Sequence, residues 1–287
     1  MQARKVRMSS GAQWLLDGFG LLRRSPLGLG LLGAIFGLIV VLPSLLVSQG
    51  AAAMVAQLLL IIAGPLLLGG LVWAVREVDA GRQARTGHLL QGLQDGKAPR
   101  LLATLLPQWI VLLLAAVLLV LLVGTGNLQT MQQLAETMQA GGQPDQALMQ
   151  SLPFGRLMLW LLALLVLGIG AAFATFVAIP TIMFSNTGGI AAMRQSLRAC
   201  ARNTGAMIVF LVLLVIAAIG ISLAAQLVGF IASLAGQKAM LLVVNVLLMA
   251  VLMPVYAGAA YSAWKQFFGH DGEGAVPALP QEHGFQA

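Results

Sequence analysis

An all-α bundle of six membrane-spanning helices is the fold class this sequence predicts, and three observations predict it. Hydrophobic residues make up 59% of the 287 and charged residues only 9%, against about 25% charged in an ordinary soluble domain. Mean hydropathy is +0.92. The apolar residues gather in six runs, each near the roughly 20 residues a helix needs to cross a hydrocarbon core about 30 Å thick. So few charges cannot cover a water-facing surface, which excludes a soluble globular enzyme. Open strands are excluded by their unpaired edges, and no alternating apolar pattern suggests a barrel.

In chain order the runs fall at 27–48, 52–75, 101–123, 157–184, 205–230 and 239–262, in a single domain over 1–265. The first run follows Arg23-Arg24-Ser25-Pro26. That resembles a twin-arginine leader, but a run of about 22 residues exceeds the 7–15 of a cleavable segment, so it is expected to be an anchor. The fourth run is long enough to need a kink, which Pro180 can supply. Between the third and fourth, Leu128, Met131, Ala135 and Met138 fall near helical spacing before Gly141-Gly142-Gln143-Pro144 breaks the pattern. A short interfacial helix is expected there. The tail 266–287, with Gly269, Gly272, Gly274, Pro277 and Pro280, is expected to be disordered.

Basic residues set the direction. Fourteen of the 16 Lys and Arg fall on one side of the six runs, and only Arg156 and Lys238 on the other. The positive-inside rule therefore places both termini in the cytoplasm. Seven of the nine acids share the basic side, so topology accounts for the basic pI without a nucleic-acid partner. Arg23, Arg24, Arg76, Arg198 and Arg202 are the expected contacts to anionic lipid on that face. Trp14, Trp73 and Trp264 are expected to lie as interface anchors, while Trp109 and Trp160 are expected to pack more deeply.

The runs also pair into three hairpins, each preceded by a short amphipathic segment. Leu15-Leu16-Asp17-Gly18-Phe19 is echoed at Leu89-Leu90-Gln91-Gly92-Leu93, and more loosely at Gln195-Ser196-Leu197. Pro65 with Gly69-Gly70 and Arg76 is echoed by Pro254 with Gly258-Ala259 and Lys265. A triplicated hairpin with interfacial surface helices is the corresponding expectation. Gly33 and Gly37 form a GxxxG, read as packing within the chain rather than dimerisation.

The interiors of the runs lack Asp, Glu, Lys, Arg and His. Such residues mark proton relays and ion paths, so proton-coupled transport and ion pumping are disfavoured. Gln226, Asn245 and Thr181 are the interior polar residues singled out, with Gln226 and Asn245 expected to face each other across the last hairpin. His88, His270 and His283 have no partner at metal-ligand spacing, and Cys200 has no neighbouring His. No catalytic residue, cofactor or metal is assigned.

Several segments together resemble an uncharacterised family of six-helix proteobacterial inner-membrane proteins. They are Arg4-Lys5-Val6 with Gly11-Ala12-Gln13-Trp14; Gly69-Gly70-Leu71 with Arg76-Glu77-Val78-Asp79-Ala80-Gly81; Ser196-Leu197-Arg198-Ala199-Cys200 with Asn203; and Ala257-Gly258-Ala259-Ala260-Tyr261. More distantly the chain is similar to the membrane domain of glycerophosphoryl diester phosphodiesterases, without their catalytic domain. The resemblance implies fold and location, a bacterial inner membrane, not activity. The functional expectation is a non-catalytic membrane protein acting through lipids or a protein partner, in envelope organisation or homeostasis. The alternative is a permease or channel for a neutral or amphipathic solute. An enzyme site around Asp79, Arg82 and His88 is the remaining possibility.

Overall fold

The computed structural model describes residues 3–46, 50–139 and 151–269, and their regular elements are all helical. Helix α1 (Ser10–Arg24) is amphipathic and ends at Ser25, whose backbone leaves the helical region. Pro26 then opens α2 (Pro26–Leu46), a position where its missing N–H would have had no partner anyway. The chain turns through 107° at this joint. Helix α3 (Ala51–Asp79) runs through Pro65 and stops at Gly81, which takes φ 77°. The Gly81 N–H donates to the Val78 carbonyl at 3.0 Å and the Arg82 N–H to the Glu77 carbonyl at 2.8 Å, the two bonds of a Schellman stop.

A 3₁₀ turn, Thr86–Leu90, leads into the short α4 (Gln91–Gln94). Helix α5 (Ala98–Leu102) feeds through another 3₁₀ turn into α6 (Leu106–Val123), and α7 (Thr125–Gln139) follows. Beyond the undescribed residues lie α8 (Phe154–Thr175), α9 (Ala178–Phe184), α10 (Gly189–Arg202), α11 (Thr204–Ala232) and α12 (Gln237–Phe268). By length and composition five stretches can cross a membrane: α3, α5–α6, α8–α9, α11 and α12. Counted as one broken span, the bent pair α1–α2 brings the number to six.

The break between α8 and α9 has a specific cause. Pro180 has no N–H to give the Phe176 carbonyl, so the helical ladder fails one turn earlier. A side chain from α10 fills the gap. The Ser196 hydroxyl donates to the Phe173 carbonyl at 2.7 Å and accepts the Val177 N–H at 3.1 Å. One hydroxyl thus stands between the two groups that a continuous helix would have paired directly.

The buried core lies toward one end of the bundle. The Trp14 ring, 0% exposed, meets Phe176, Phe210 and Phe267 with centroids 5.3–6.2 Å apart, and its Nε1 donates to Gln266. Helix α12 is the centre of this arrangement and touches α1, α2, α3, α9 and α11. Away from this end, α6, α8 and α11 carry many exposed leucines, valines and isoleucines, such as Leu121, Leu162 and Ile219. That is the surface expected of helices facing lipid.

Several expectations need correction. The amphipathic segments sit on the surface of the bundle with one face packed on protein: α1 against α11 and α12, and the 86–94 segment against α3, while Leu16, Leu90 and Leu93 stay exposed. Trp14 and Trp264 are therefore buried and do not act as exposed interface anchors, because each meets an aromatic cluster. Trp109 is exposed, contrary to its expected packing, whereas Trp160 does pack, its Nε1 reaching the Ala115 carbonyl on α6 at 2.9 Å. The domain extends past residue 265: Phe267 and Phe268 complete α12 and are 0% and 2% exposed. The Gly141–Pro144 break and the tail from 270 lie outside the described residues.

The repeat has geometric support. Each amphipathic segment packs on the preceding hairpin in cyclic order: α4 on α3, α10 on α8 and α9, and α1 on α12. Gly18 meets the Val255 carbonyl, and its counterpart Gly92 approaches the Leu66 carbonyl, the equivalent residue after the helix proline. Ser196 occupies the corresponding position in the looser copy, against the α8–α9 break. Gly33 and Gly37 face Met249 and Val246 of α12, so the GxxxG serves packing within the chain.

Candidate functional site at the basic end

The basic residues converge because of how the chain ends are tied. Asn203, 4% exposed, accepts the Val6 N–H at 2.8 Å and donates to the Arg4 carbonyl at 3.0 Å, holding the N-terminal segment against the α10–α11 junction. The Arg4 N–H donates to the Phe267 carbonyl at 3.1 Å, which joins the same segment to the end of α12. Trp14 adds a bond from α1 to Gln266 at the end of α12, and Tyr261 one from α12 to Asp79 at the end of α3.

Between α1 and α12, beside the end of α3, lies a cavity of about 360 Å³. Asp17, Gly20 and Arg24 line it from α1, Ser262, Lys265 and Gln266 from α12, and Asp79 from α3. The spacing of Asp17, Gly20 and Arg24 puts all three on one helical face. A second hollow of about 260 Å³ shares Arg24 and Asp79 and adds Ser25, Arg82 and Gln83.

Asp79 is the most connected group in the cavity. It accepts from Lys265 Nζ at 2.8 Å and from the Tyr261 hydroxyl at 3.2 Å, with Arg24 Nη1 at 3.6 Å. Asp17 differs. Burial pushes its carboxyl above the usual aspartate range, against the opposing pull of the Ser262 hydrogen bond and then of the Lys265 charge.

Of the five arginines expected at lipid, Arg24 is in the cavity wall. Arg76 lies over the rings of Trp73 and Phe184 at 5.4 and 5.0 Å, while Arg23, Arg198 and Arg202 are exposed. The interior polar residues do not come together. Gln226 bonds Ser222, Asn245 bonds the Leu241 carbonyl and Thr181 the Val177 carbonyl, each within its own helix or one turn of it. The expected Gln226–Asn245 pair is thus not formed, because each side chain closes on the preceding turn. Thr181 is 0% exposed and packed.

Around the possible enzyme site, Asp79 belongs to the cavity, Arg82 forks onto Glu77 at 2.6 Å, and the His88 Nδ1 accepts the Arg85 N–H at 3.2 Å. Among the described residues no cluster of three His, Cys, Asp or Glu is placed to hold a metal. Cys200 is buried, which pushes its thiol up to about 12.

Asp17, Ser262 and Gln266 were not singled out from the sequence. Ser262 and Gln266 lie at the far end of the chain from Asp17, and only the α1–α12 packing brings them together. The available signal was a carboxylate, a glycine and an arginine on one face of an amphipathic helix.

A second feature lies in the apolar half. Leu114, Val117 and Leu118 of α6 and Leu159, Leu162 and Val166 of α8 line a wholly apolar cleft of about 450 Å³. The fold is thus that of a helical bundle with membrane-spanning apolar helices, a polar cavity at its basic end and an apolar cleft toward lipid. Comparison of the chain with protein-family models, curated proteins and solved structures returns no match.

Proposed function

We propose that this chain is a non-catalytic inner-membrane protein, with both termini in the cytoplasm, that acts by binding membrane lipid. The observation that carries this reading is the α6–α8 cleft. Its lining has no polar side chain, and its residues stay exposed in the middle of spanning-length helices: Leu114, Val117, Leu159 and Val166 among them. In a bilayer the occupant of such a surface is an acyl chain. A solute path needs polar wall groups, and the interior polar residues here are turned back onto their own helices. The aromatic packing of Trp14, Phe176, Phe210 and Phe267 also fills the centre of the basic end, which disfavours an open pore. Envelope organisation or homeostasis is the physiological setting this suggests.

The test is photocrosslinking with a phospholipid bearing a diazirine in its acyl chain. Adducts should concentrate on Leu118, Leu162 and their neighbours, several-fold above Ile216 and Ile219, which are exposed on α11. Uniform labelling of both surfaces would remove the cleft from the argument.

A further inference from the structure

The charges around the α1–α12 cavity are only half matched to one another. Lys265 and Tyr261 already satisfy Asp79 at hydrogen-bond distance. Arg24 reaches the same carboxylate only at 3.6 Å, beyond hydrogen-bond length, and 64% of its side chain is exposed. On the same α1 face as Arg24, Asp17 has the Ser262 hydroxyl as its side-chain partner, with the cations of Lys265 and Arg24 and the Asp79 carboxylate acting at longer range. An under-compensated carboxylate and an under-used guanidinium therefore border one space.

That combination selects its ligand by charge. A simple anion meets Asp17 and Asp79, and a simple cation meets Arg24 and Lys265. A zwitterion with a cation and an anion a few bonds apart meets both signs, its cation at Asp17 and its anion at Arg24, two turns apart on α1. At about 360 Å³ the cavity lies near the lower end of small-ligand sites, which span roughly 300–1,000 Å³. It suits a headgroup rather than a whole lipid. The surroundings favour a headgroup with chains attached. Leu16, in the cavity lining, is 68% exposed, and past the 107° bend Leu27 and Leu31, on the first two turns of α2, are 87% and 52% exposed. Exposed apolar side chains thus stand on both helices that meet beside the cavity, where acyl chains can lie and a soluble zwitterion gains nothing.

We propose that the cavity receives the ammonium–phosphate headgroup of a phosphatidylethanolamine-type lipid, with Asp17 and Ser262 taking the ammonium and Arg24 and Lys265 the phosphate. The proposal rests on the lipid-binding reading above and adds the headgroup. A primary ammonium donates hydrogen bonds to Asp17 and Ser262, which a quaternary ammonium cannot do. Selection against choline lipid follows as well as selection against glycerol lipid.

The experiment uses the full chain, delipidated in detergent and mixed with equal amounts of synthetic dioleoyl phosphatidylethanolamine, phosphatidylglycerol and phosphatidylcholine. Native mass spectrometry reads which is retained. Charged hydrogen bonds of this kind give an expected preference of about tenfold for the ethanolamine lipid. Asp17→Asn and Ser262→Ala should each bring ethanolamine and glycerol lipids to within about twofold, while Lys238→Gln, exposed at the other end of α12, keeps the preference. Retention of all three lipids alike by the wild-type chain overturns the headgroup proposal and leaves lipid binding standing. Retention of none overturns both. Displacement by soluble phosphoethanolamine at the same free concentration assigns the site to a free solute and overturns its lipid source.

Discussion

Glycine-to-alanine exchange at two positions one turn apart on α2 tests how the bundle is packed. A Cβ on Gly33 would stand 2.5 Å from the Met249 carbonyl oxygen and 2.9 Å from both the Ala250 Cα and the Pro254 Cδ. Two of these atoms are backbone and the third belongs to a rigid ring, so none can turn away. Ordinary contact begins near 3.4 Å, so α2 must retreat from α12 by up to about 0.9 Å. Overpacking of this kind costs about 1–3 kcal/mol. A Cβ on Gly30 meets only the Ala250 carbonyl oxygen at 3.8 Å, with no strain. Both exchanges gain the same helix propensity, about 1 kcal/mol. The difference between them therefore isolates the steric cost, and Gly33→Ala should be about 1–3 kcal/mol less stable than Gly30→Ala. Equilibrium unfolding in mixed micelles, followed by tryptophan fluorescence, measures it. Equal stability of the two variants would refute the close α2–α12 contact. A shift from monomer to dimer or the reverse would refute the reading of Gly33 and Gly37 as packing within the chain.

Other consequences follow from particular contacts. Ser196→Ala removes the hydroxyl between Phe173 and Val177, and should cost about 1–3 kcal/mol in the same unfolding assay unless the direct helical bond re-forms. Trp14→Ala empties the aromatic cluster, so a loss of about 3–5 kcal/mol is expected, seen as failure to accumulate folded protein. Cys200, with its pKa raised from 9.0 to about 12, should react with maleimide at pH 8 about a thousandfold more slowly in the folded chain than in the unfolded one. Its rate should climb with pH until about 12. For Asp17 the raised pKa means the folded state holds the proton more tightly than the unfolded chain, so stability falls as pH rises through the window starting at 3.8. Asp17→Asn should therefore be at least as stable as the parent at pH 7, with the advantage gone at pH 3, as thermal melts at both pH values would show.

The helical class and the six apolar runs were legible because lipid imposes a length and an apolarity that composition reports directly. The same holds for the GxxxG, whose spacing alone places both glycines on one face. What misled was the amphipathic pattern. Polar and apolar faces on α1 are equally consistent with a helix lying on lipid and one packed on protein, and burial of Trp14 depends on Phe176, Phe210 and Phe267, which the sequence scatters over the α8–α9 break, α11 and α12. Interior amides misled for a different reason. Asn245 and Gln226 have acceptors available one turn back in their own helices, so they do not need each other. The cavity was least visible, since Asp17 and Ser262 meet only through the α1–α12 crossing. Its one local sign was the Asp17–Gly20–Arg24 face.

Native mass spectrometry of the protein extracted gently from its own membrane tests the central claim most directly. The account predicts a stoichiometric phospholipid, enriched over its share of the bulk membrane and stripped only at high collision energy. A bare chain, together with solute flux through vesicles containing it, would contradict lipid binding and return the protein to the transport class.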